Sequence, residues 1–454
     1  MTSDARGAPG SGPRPLLRRV DAVGIIVGIV VGAGIYKTPS LVASITGDAG
    51  WTIVAWLLGA LISFVGALCY VELSTTYPHA GGDYHFLSRA YGRDVSFIYA
   101  WSRATVINPG SIALLAFVFG AYFTEVLPLG AHSSALWAGI VVFALTTLNI
   151  AGLRFSVRIQ NLLTGVEIAG LVAIVVAGTL APASPDALPT PFTASPGSGA
   201  FGLAMVFVLL TYGGWNEAAT LSAELKGGRR AIANALWLSL AVIAASYVAV
   251  NLALLHGLGL DGLARSQAPA VDIVGRAFGA GGGAFAIKAL GLSVAIATLT
   301  SINATMIVGA RTNYAMGCDW PPLRVLSRWH GASGVPVAAY LVQATIALAL
   351  VGFGSLQRDG FEAMVEFTAP VFWGFLSLVA LAVPVMRRRD PRADRPFRVP
   401  LYPLTPVVFC AVCVYLAVSS LRYAASRDAV HISLLLMVFG IAAWALARTR
   451  SARV

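Results

Sequence analysis

Two stretches of this sequence interrupt apolar runs with pairs of glycines. The first, VGIIVGIVVGAGIYKTPS, carries Gly32 and Gly34 near the point where a membrane-crossing helix would have its centre. The second, FGLAMVFVLLTYGGWNEAATLSAE, carries Gly213 and Gly214 at the corresponding point. An unpaired backbone group inside a bilayer costs several kcal/mol, so an interruption there needs a partner for the exposed N–H and C=O groups.

Breaks of this kind place free backbone groups, which can bind charged ligand groups, at the middle of a membrane. The second half of a broken helix begins with free N–H groups, where the helix dipole favours a carboxylate. The first half ends with free carbonyl groups, which accept hydrogen bonds from an ammonium group. Close helix packing is the alternative use of such glycines. For one span the two interpretations weigh equally, and the matched pair favours a binding site.

The composition requires most of the chain to lie in a membrane. Of 454 residues, 57% are hydrophobic and 11% are charged, which is too little polar surface for a soluble globule of this size. A membrane helix takes about 20 apolar residues, and the sequence contains about twelve such spans. Their predicted centres lie near residues 31, 60, 108, 142, 169, 211, 243, 296, 345, 374, 412 and 439. The predicted fold class is therefore all-α and integral to the membrane.

The basic residues predict which side of the membrane each loop faces. Of the 31 Lys and Arg residues, 23 lie in the two terminal segments and in alternate loops, six of them in MRRRDPRADRPFR; six others lie near the opposite face and two within spans, and the net charge is +11. Under the positive-inside rule these loops and both termini are cytoplasmic. Because the charge is spread over separate loops, it argues against nucleic-acid binding. The arginine-rich and alanine-rich composition favours a bacterial inner membrane.

The predicted spans lack the residue patterns that catalysis or metal binding would need. The spans contain no HExxH motif and no Ser/His/Asp arrangement, and the six histidines show no ligand spacing. Cys410 and Cys413 form a CxxC pair inside an apolar span, where small-residue packing is favoured over redox chemistry. We therefore expect no enzyme, no cofactor and no metal.

The interrupted spans also resemble those of known transporters. IVVGAGIYKTPSLVA resembles the first-helix signature of the amino acid, polyamine and organocation (APC) permeases, and TYGGWNEAATLSAE resembles the sixth-helix pattern of their L-type and related bacterial members. SINATMIVGARTNYAMGCDWPP is similar to their eighth helix, and RPFRVPLYPLTPVVF to the segment that leads into their eleventh.

The resemblance implies a fold and a function for nearly the whole chain. The fold is of the LeuT type, in which helices one to five and six to ten form two inverted repeats and two further helices follow. On this chain it gives a cytoplasmic tail over 1–19, a first repeat over 20–180, a second over 199–386 and the last helices over 402–448. The implied function is secondary transport of an amino acid by alternating access.

The resemblance places the substrate against the backbone of the two breaks. Amides of the first break bind its carboxylate, namely those of Gly32, Ala33 and Gly34. Carbonyl groups beside both breaks bind its amine, namely those of Val30, Leu210 and Gly213. Relatives commonly carry a bulky aromatic residue where this chain has Leu210, so a smaller side chain replaces the usual lid over the substrate.

Side chains around this backbone site should set the selectivity. Tyr212 and Trp215 are candidate gates, with core packing as the alternative. Asn216 is a candidate brace of the unwound segment, with a helix-to-helix hydrogen bond as the alternative. The helix-eight residues that line the site in relatives correspond to Ser301, Asn303 and Thr305. Since the backbone site has no acidic residue, we expect neutral amino acids, with cationic amino acids, polyamines or exchange as alternatives.

Ionisable residues inside the spans predict the coupling mechanism. Arg103 and Glu167 each lie about ten residues into a helix, at roughly 15 Å depth, where charges are costly and are functional candidates. Several bacterial relatives carry a lysine at the position of Glu167, so a carboxylate there is a candidate proton carrier; an ion pair with Arg103 is the alternative. Lys37 is expected to reach the aqueous vestibule. Glu217 and Glu224 are either inner-gate residues or helix-end charges.

The expected partners are an amino acid substrate, membrane lipid and protons. Some L-type relatives join a single-span partner through a cysteine in the loop after helix three. The corresponding loop here, VLPLGAHSSAL, has no cysteine, so we expect no disulfide-linked partner. A sensor that binds amino acids without transporting them is the alternative from another class, and the short cytoplasmic loops argue against it.

Overall fold

Helices form the framework of the described chain. The computed structural model describes residues 19–32, 34–79, 81–151, 157–184, 192, 195–217, 228–328, 335–357, 359–424 and 428–451. Its α-helices are α1 (Arg19–Val30), α2 (Gly34–Thr46), α3 (Ala49–Thr76), α4 (Gly82–Tyr91), α5 (Arg93–Ser102), α6 (Asn108–Thr124), α7 (Ser133–Ile150), α8 (Val157–Leu180), α9 (Gly197–Thr211), α10 (Gly228–Arg265), α11 (Pro269–Asp319), α12 (Val337–Ser355), α13 (Gly360–Arg389), α14 (Leu404–Ala424) and α15 (Ala429–Ser451).

Nine helical stretches among these residues are long and apolar enough to cross a membrane. Thr164–Leu180 and Ala429–Ala445 are shorter apolar helices, and α1 and α2 together cover the first predicted span. Large apolar side chains also face outward, with Phe143 66% and Phe439 64% exposed. A bilayer accommodates such surfaces and water does not. The prediction of an all-helical integral membrane protein is confirmed.

The chain is broken where the glycine pairs lie. In the first break, α1 ends at Val30 and α2 begins at Gly34. In the second, α9 ends at Thr211, and a turn followed by a short 3₁₀ segment continues to Glu217. Gly214 in this turn has a φ of 104°, a left-handed conformation that glycine adopts without strain. Both breaks therefore expose helix ends within the bundle.

The broken helices are surrounded by other helices. Helix α1 packs against α8, α10 and α11, and α2 packs against α9 and α10. Helix α11 also packs against α6 and α8, so it closes the group around the breaks. The two breaks are therefore shielded by packed helices, and helix ends placed there need partners within the bundle.

One buried carboxylate links helices at the end of the bundle where the arginine-rich segment lies. We call this end of the bundle the basic end. Glu72 of α3 accepts hydrogen bonds from Nε and Nη2 of Arg387, at 2.8 and 2.6 Å, and from the backbone N–H of Val399 at 2.6 Å. Paired arginine–carboxylate bonds of this kind are strong and directional. They hold the segment after α13 against α3.

Candidate functional site

A cavity of about 220 Å³ lies where the two helices break. Its walls come from α1, α2, α4, α5, α6, α9, α11 and α13, from the π-helical turn between α5 and α6, and from the turn after α9. The lining residues that the sequence predicted for the substrate site are Val30, Gly32, Gly34, Leu210, Gly213, Asn216, Ser301 and Thr305. The two breaks, 180 positions apart in the chain at Gly34 and Gly214, therefore face one shared space.

Some predicted residues do not line this cavity. Tyr212 is fully buried, and its hydroxyl donates to a backbone carbonyl of α3 at 3.2 Å. Trp215 packs edge-on against an aromatic ring of α3, and Asn303 accepts a 2.7 Å hydrogen bond from Asn149 of α7. These contacts match the packing alternative for the aromatic residues, because the turn after α9 directs their rings toward α3. Ala33 lies outside the described residues.

The protein itself satisfies some of the backbone groups at the breaks. The hydroxyl of Tyr247 contacts the carbonyl oxygens of Val30 at 2.8 Å and Thr211 at 3.2 Å, the last residues of α1 and α9. The carbonyl of Leu210 accepts a 3.0 Å bond from the N–H of Gly213. Since a carbonyl oxygen has two lone pairs, that of Val30 can accept a second hydrogen bond, whereas that of Leu210 also receives the backbone N–H of Tyr212. Sequence reasoning missed Tyr247, because no glycine pair or charged residue marks its position within α10.

The two broken helices touch each other at Gly34. A Cβ atom on Gly34 would lie 3.1 Å from both Oγ1 and Cγ2 of Thr211. Thr211 is held in place by a 2.8 Å hydrogen bond between its hydroxyl and that of Thr38, and both threonines line the cavity. A side chain at position 34 would therefore press the breaks apart and cover backbone that a ligand could approach.

Four side chains that line the cavity toward the basic end form a connected network, which we call the charged floor. Arg103 Nη2 lies 2.5 Å from Glu217 Oε1, and Arg103 Nη1 donates to the Tyr99 hydroxyl at 2.9 Å. The Tyr99 hydroxyl donates to Asp83 Oδ2 at 3.2 Å. Burial raises the pKa of Asp83, which lies in α4 outside the candidate spans, to about 6; the charge of Glu217 also raises this pKa, and Arg103 lowers it.

The local backbone explains how Arg103 reaches this floor. It begins a π-helical turn, Arg103–Ile107, between α5 and α6. Turns of this kind are frequent at functional sites because the extra residue redirects side chains. Glu217 ends the 3₁₀ segment after the second break, so the ion pair joins that break to the α5–α6 helix. The inner-gate alternative for Glu217 fits this position; Glu224 lies outside the described residues.

Glu167 occupies a different environment from Arg103. It is 1% exposed, and among the described residues neither of its carboxylate oxygens has a hydrogen-bond partner. The alternative of an ion pair between Glu167 and Arg103 is wrong, since Arg103 pairs with Glu217. The reason is helix packing: α8, which carries Glu167, lies against α1, α10 and α11.

Lys37, one turn into α2, has two partners outside its own helix. Its ammonium group donates to Gln267 Oε1 at 2.7 Å and lies 3.6 Å from Asp359 Oδ2. Gln267 lies between α10 and α11, and Asp359 caps α13. Lys37 is only 7% exposed, so the expectation that it reaches an aqueous vestibule is wrong. A buried ammonium group needs such partners to offset its lost hydration.

A membrane bundle in which two broken helices face a central cavity has the architecture of a transporter. A model of the amino acid permease family matches residues 17–444, so this chain belongs to that family. The resemblance to APC permeases is confirmed, and the family is one of membrane transporters, not of enzymes.

The relatives found by sequence comparison are amino acid transporters. The b(0,+)-type amino acid transporter 1 of Mus musculus is 27% identical over 399 residues, which cover 86% of this chain and 80% of the relative. The serine/threonine exchanger of Bacillus subtilis is 27% identical over 403 residues, covering 88% and 90%. The cystine/glutamate transporter of Homo sapiens is 26% identical over 423 residues, covering 91% and 82%.

Proposed function

We propose that this protein is a secondary active transporter that moves neutral amino acids across the membrane by alternating access. The observation that carries the proposal is that both helix breaks line one cavity. The start of α2 at Gly34 presents amides and a positive dipole end to a substrate carboxylate. The carbonyls of Val30, Leu210 and Gly213 lie beside the same cavity and suit the amine.

The proposed arrangement of the chain is twelve spans in the LeuT-type order. The matched breaks after α1 and α9 support two five-span repeats, over residues 20–180 and 199–386, followed by two spans within 402–448. The arginine-rich segment between α13 and α14 supports a cytoplasmic basic end, with residues 1–19 on the same side. We place the protein in a bacterial inner membrane.

The charges around the cavity support a neutral substrate side chain. Glu217 offsets the charge of Arg103, and Asp83 is already engaged by the Tyr99 hydroxyl. The second candidate is a cationic amino acid, and the observation that favours it is that, among the described residues, two carboxylates and one guanidinium line the cavity. The sequence alone did not bring Asp83 to the site.

Coupling to protons is proposed to run through Glu167. This carboxyl group lies in α8, which packs directly against α1 beside the first break. Protonation of Glu167 breaks no ion pair, because no described residue pairs with its carboxylate. A proton bound there can therefore change the contact between α8 and the broken helix. Exchange of one amino acid for another is the alternative mode, and it needs no such group.

A competition screen in proteoliposomes tests the proposal. Uptake of one labelled amino acid is measured against each of the twenty amino acids, with wild type, Gly32→Val, Gly34→Val and the control Gly352→Val. Gly352 lies on α12, where an added Cβ meets nothing within 4 Å. We expect wild type and Gly352→Val to transport neutral amino acids, and the two break variants to lose uptake while remaining in the membrane.

Each other outcome has a defined meaning. Binding of an amino acid without uptake supports the sensor alternative. Stronger competition by lysine or arginine than by any neutral amino acid supports the cationic candidate. Normal uptake by Gly32→Val or Gly34→Val would remove the first break from the substrate site.

A further inference from the structure

Two uncharged polar side chains in the cavity wall have atoms without partners. Asn108 of α6 is 4% exposed and Ser301 of α11 is 5% exposed, and both line the cavity. Among the described residues, Asn108 Nδ2 and Ser301 Oγ have no hydrogen-bond partner. A buried polar atom left unpaired is costly, and a ligand that bonds to it removes this cost.

Two other hydroxyl groups in the wall form hydrogen bonds within their own helices. Thr305 Oγ1 donates to the Ser301 carbonyl at 2.8 Å, and Thr368 Oγ1 donates to a carbonyl one turn earlier in α13. Phe361 and Phe372 add apolar surface to the α13 side. The charged floor also has unpartnered atoms, but its side chains already bond to one another. Among the uncharged side chains that line the cavity, Asn108 and Ser301 are therefore the ones whose buried atoms have no hydrogen-bond partner within the described part of the chain.

We propose that Asn108 and Ser301 form a subsite that hydrogen-bonds a hydroxyl or carboxamide group on the substrate side chain. A carboxamide and a hydroxyl each both donate and accept, so these two residues match a substrate group that does the same. The inference rests on the proposed function and narrows it: the preferred substrates are uncharged polar amino acids such as threonine, serine and asparagine. An apolar side chain of equal shape leaves both residues unpaired.

A structural role for Asn108 is the competing account. Gln343 of α12 also has an unpartnered Oε1, and an added Cβ on Gly309 would collide with that oxygen and lie 2.8 Å from Asn108 Nδ2. The two amides therefore approach each other across Gly309, where a contact would brace α6 against α12. Gln343 does not line the cavity, and its Nε2 donates to a carbonyl of α11 at 3.2 Å. Changing Gln343 thus tests the brace without touching the substrate site.

The test compares threonine with valine, which has the same shape without the hydroxyl. Uptake of a labelled neutral amino acid into proteoliposomes is measured with threonine or valine as the competitor, and the competitor concentration that halves uptake is determined. The proteins compared are wild type, Asn108→Leu, Ser301→Ala and Gln343→Leu. A subsite makes wild type prefer threonine roughly tenfold, as one satisfied hydrogen bond predicts. Asn108→Leu and Ser301→Ala should each reduce the preference severalfold, and Gln343→Leu should keep it.

Three outcomes would overturn the inference. Equal competition by threonine and valine in wild type excludes a hydroxyl-binding subsite. Loss of the preference in Gln343→Leu as well as in Asn108→Leu assigns Asn108 to the brace. If Asn108→Leu does not fold, an unchanged preference in the smaller change Ser301→Ala rejects the subsite. Absence of uptake for every amino acid instead rejects the proposed function, and the subsite with it.

Discussion

Two ionisable side chains, Arg103 and Glu167, lie deep in the bundle with opposite surroundings. Arg103 has Glu217 at 2.5 Å and the Tyr99 hydroxyl at 2.9 Å, with Asp83 one hydrogen bond further away. Glu167 is more deeply buried, at 1% exposed against 9% for Arg103, and no described residue pairs with its carboxylate. Partners offset part of the cost of removing a charge from water, so Arg103 suits a fixed connection. Glu167 suits a group that changes its protonation state without breaking a contact.

The position of each group adds to this contrast. Arg103 and Glu217 join the π-helical turn before α6 to the unwound segment after α9, so their ion pair fixes the geometry of the second break. Glu167 lies on α8, which packs against α1 beside the first break, and its carboxylate bonds to none of the residues that the structure describes. The same type of substitution should therefore affect stability at one site and coupling at the other.

The largest effect is expected from Glu217→Gln. It leaves the guanidinium of Arg103 buried without its carboxylate, which should lower the free energy of unfolding by roughly 4 kcal/mol. The double change Arg103→Gln with Glu217→Gln should recover part of this loss. Thermal unfolding in detergent measures both. Asp261→Asn is the control, because its ion pair with Arg265 is exposed and worth less than about 1 kcal/mol. Equal stability of the single and double variants would contradict the prediction.

Asp83 is the second carboxylate near Arg103, and a smaller effect on stability is expected there than at Glu217, the direct ion-pair partner. Its pKa in the folded state, about 6, is above the ordinary value of 3.8, so the folded state binds this proton more tightly than the unfolded state does. The contribution of Asp83 to stability should therefore fall as the pH rises from about 4 to about 6, by at most about 3 kcal/mol. Unfolding of the wild type and of Asp83→Asn, compared from about pH 4.5 to about pH 7.5, measures this pH-dependent contribution. A difference between them that does not depend on pH would reject the shift.

Glu167→Gln should behave in the opposite way to Glu217→Gln. It replaces an unpartnered carboxyl group by an amide of similar shape, so we expect a stability change below about 1 kcal/mol. Substrate exchange should persist, and acceleration of uptake by an inward proton gradient should disappear. Uptake with and without a pH gradient measures the effect. Full response to the gradient in Glu167→Gln would remove this residue from the coupling mechanism.

The smallest effect is expected at Lys37, where the ion pair is longer and partly exposed. Asp359→Asn removes the charge 3.6 Å from Lys37 but keeps an oxygen that can cap α13, so stability should fall by less than about 1 kcal/mol. Asp359→Ala also removes the cap and should cost about 1 kcal/mol more. Thermal unfolding of the two variants separates the contributions. A large loss in Asp359→Asn would make this ion pair comparable to that of Arg103.

The breaks and the helical class could be predicted because their causes are local in the sequence. Apolar runs of sufficient length require helices in a bilayer, and Gly32, Gly34 and Gly213 permit a break at the place where they stand. Gly32, Gly34 and Ser301, which the sequence analysis predicts for the substrate site, line one cavity. Tyr212 and Trp215 could not be placed in the same way, because the direction of a side chain in an unwound segment depends on each backbone dihedral angle.

The sequence by itself determined that this chain crosses the membrane as helices, that two of them break at glycines, and that a few charges must be buried. Only the tertiary structure decided which charges meet. The sequence suggested Glu167 as the ion-pair partner of Arg103, but helix packing brought Glu217 to Arg103 and left Glu167 on α8 against α1. The physical reason is that hydropathy and backbone freedom are properties of residues close together in the chain. An ion pair instead requires two segments that are distant in the chain to be in contact.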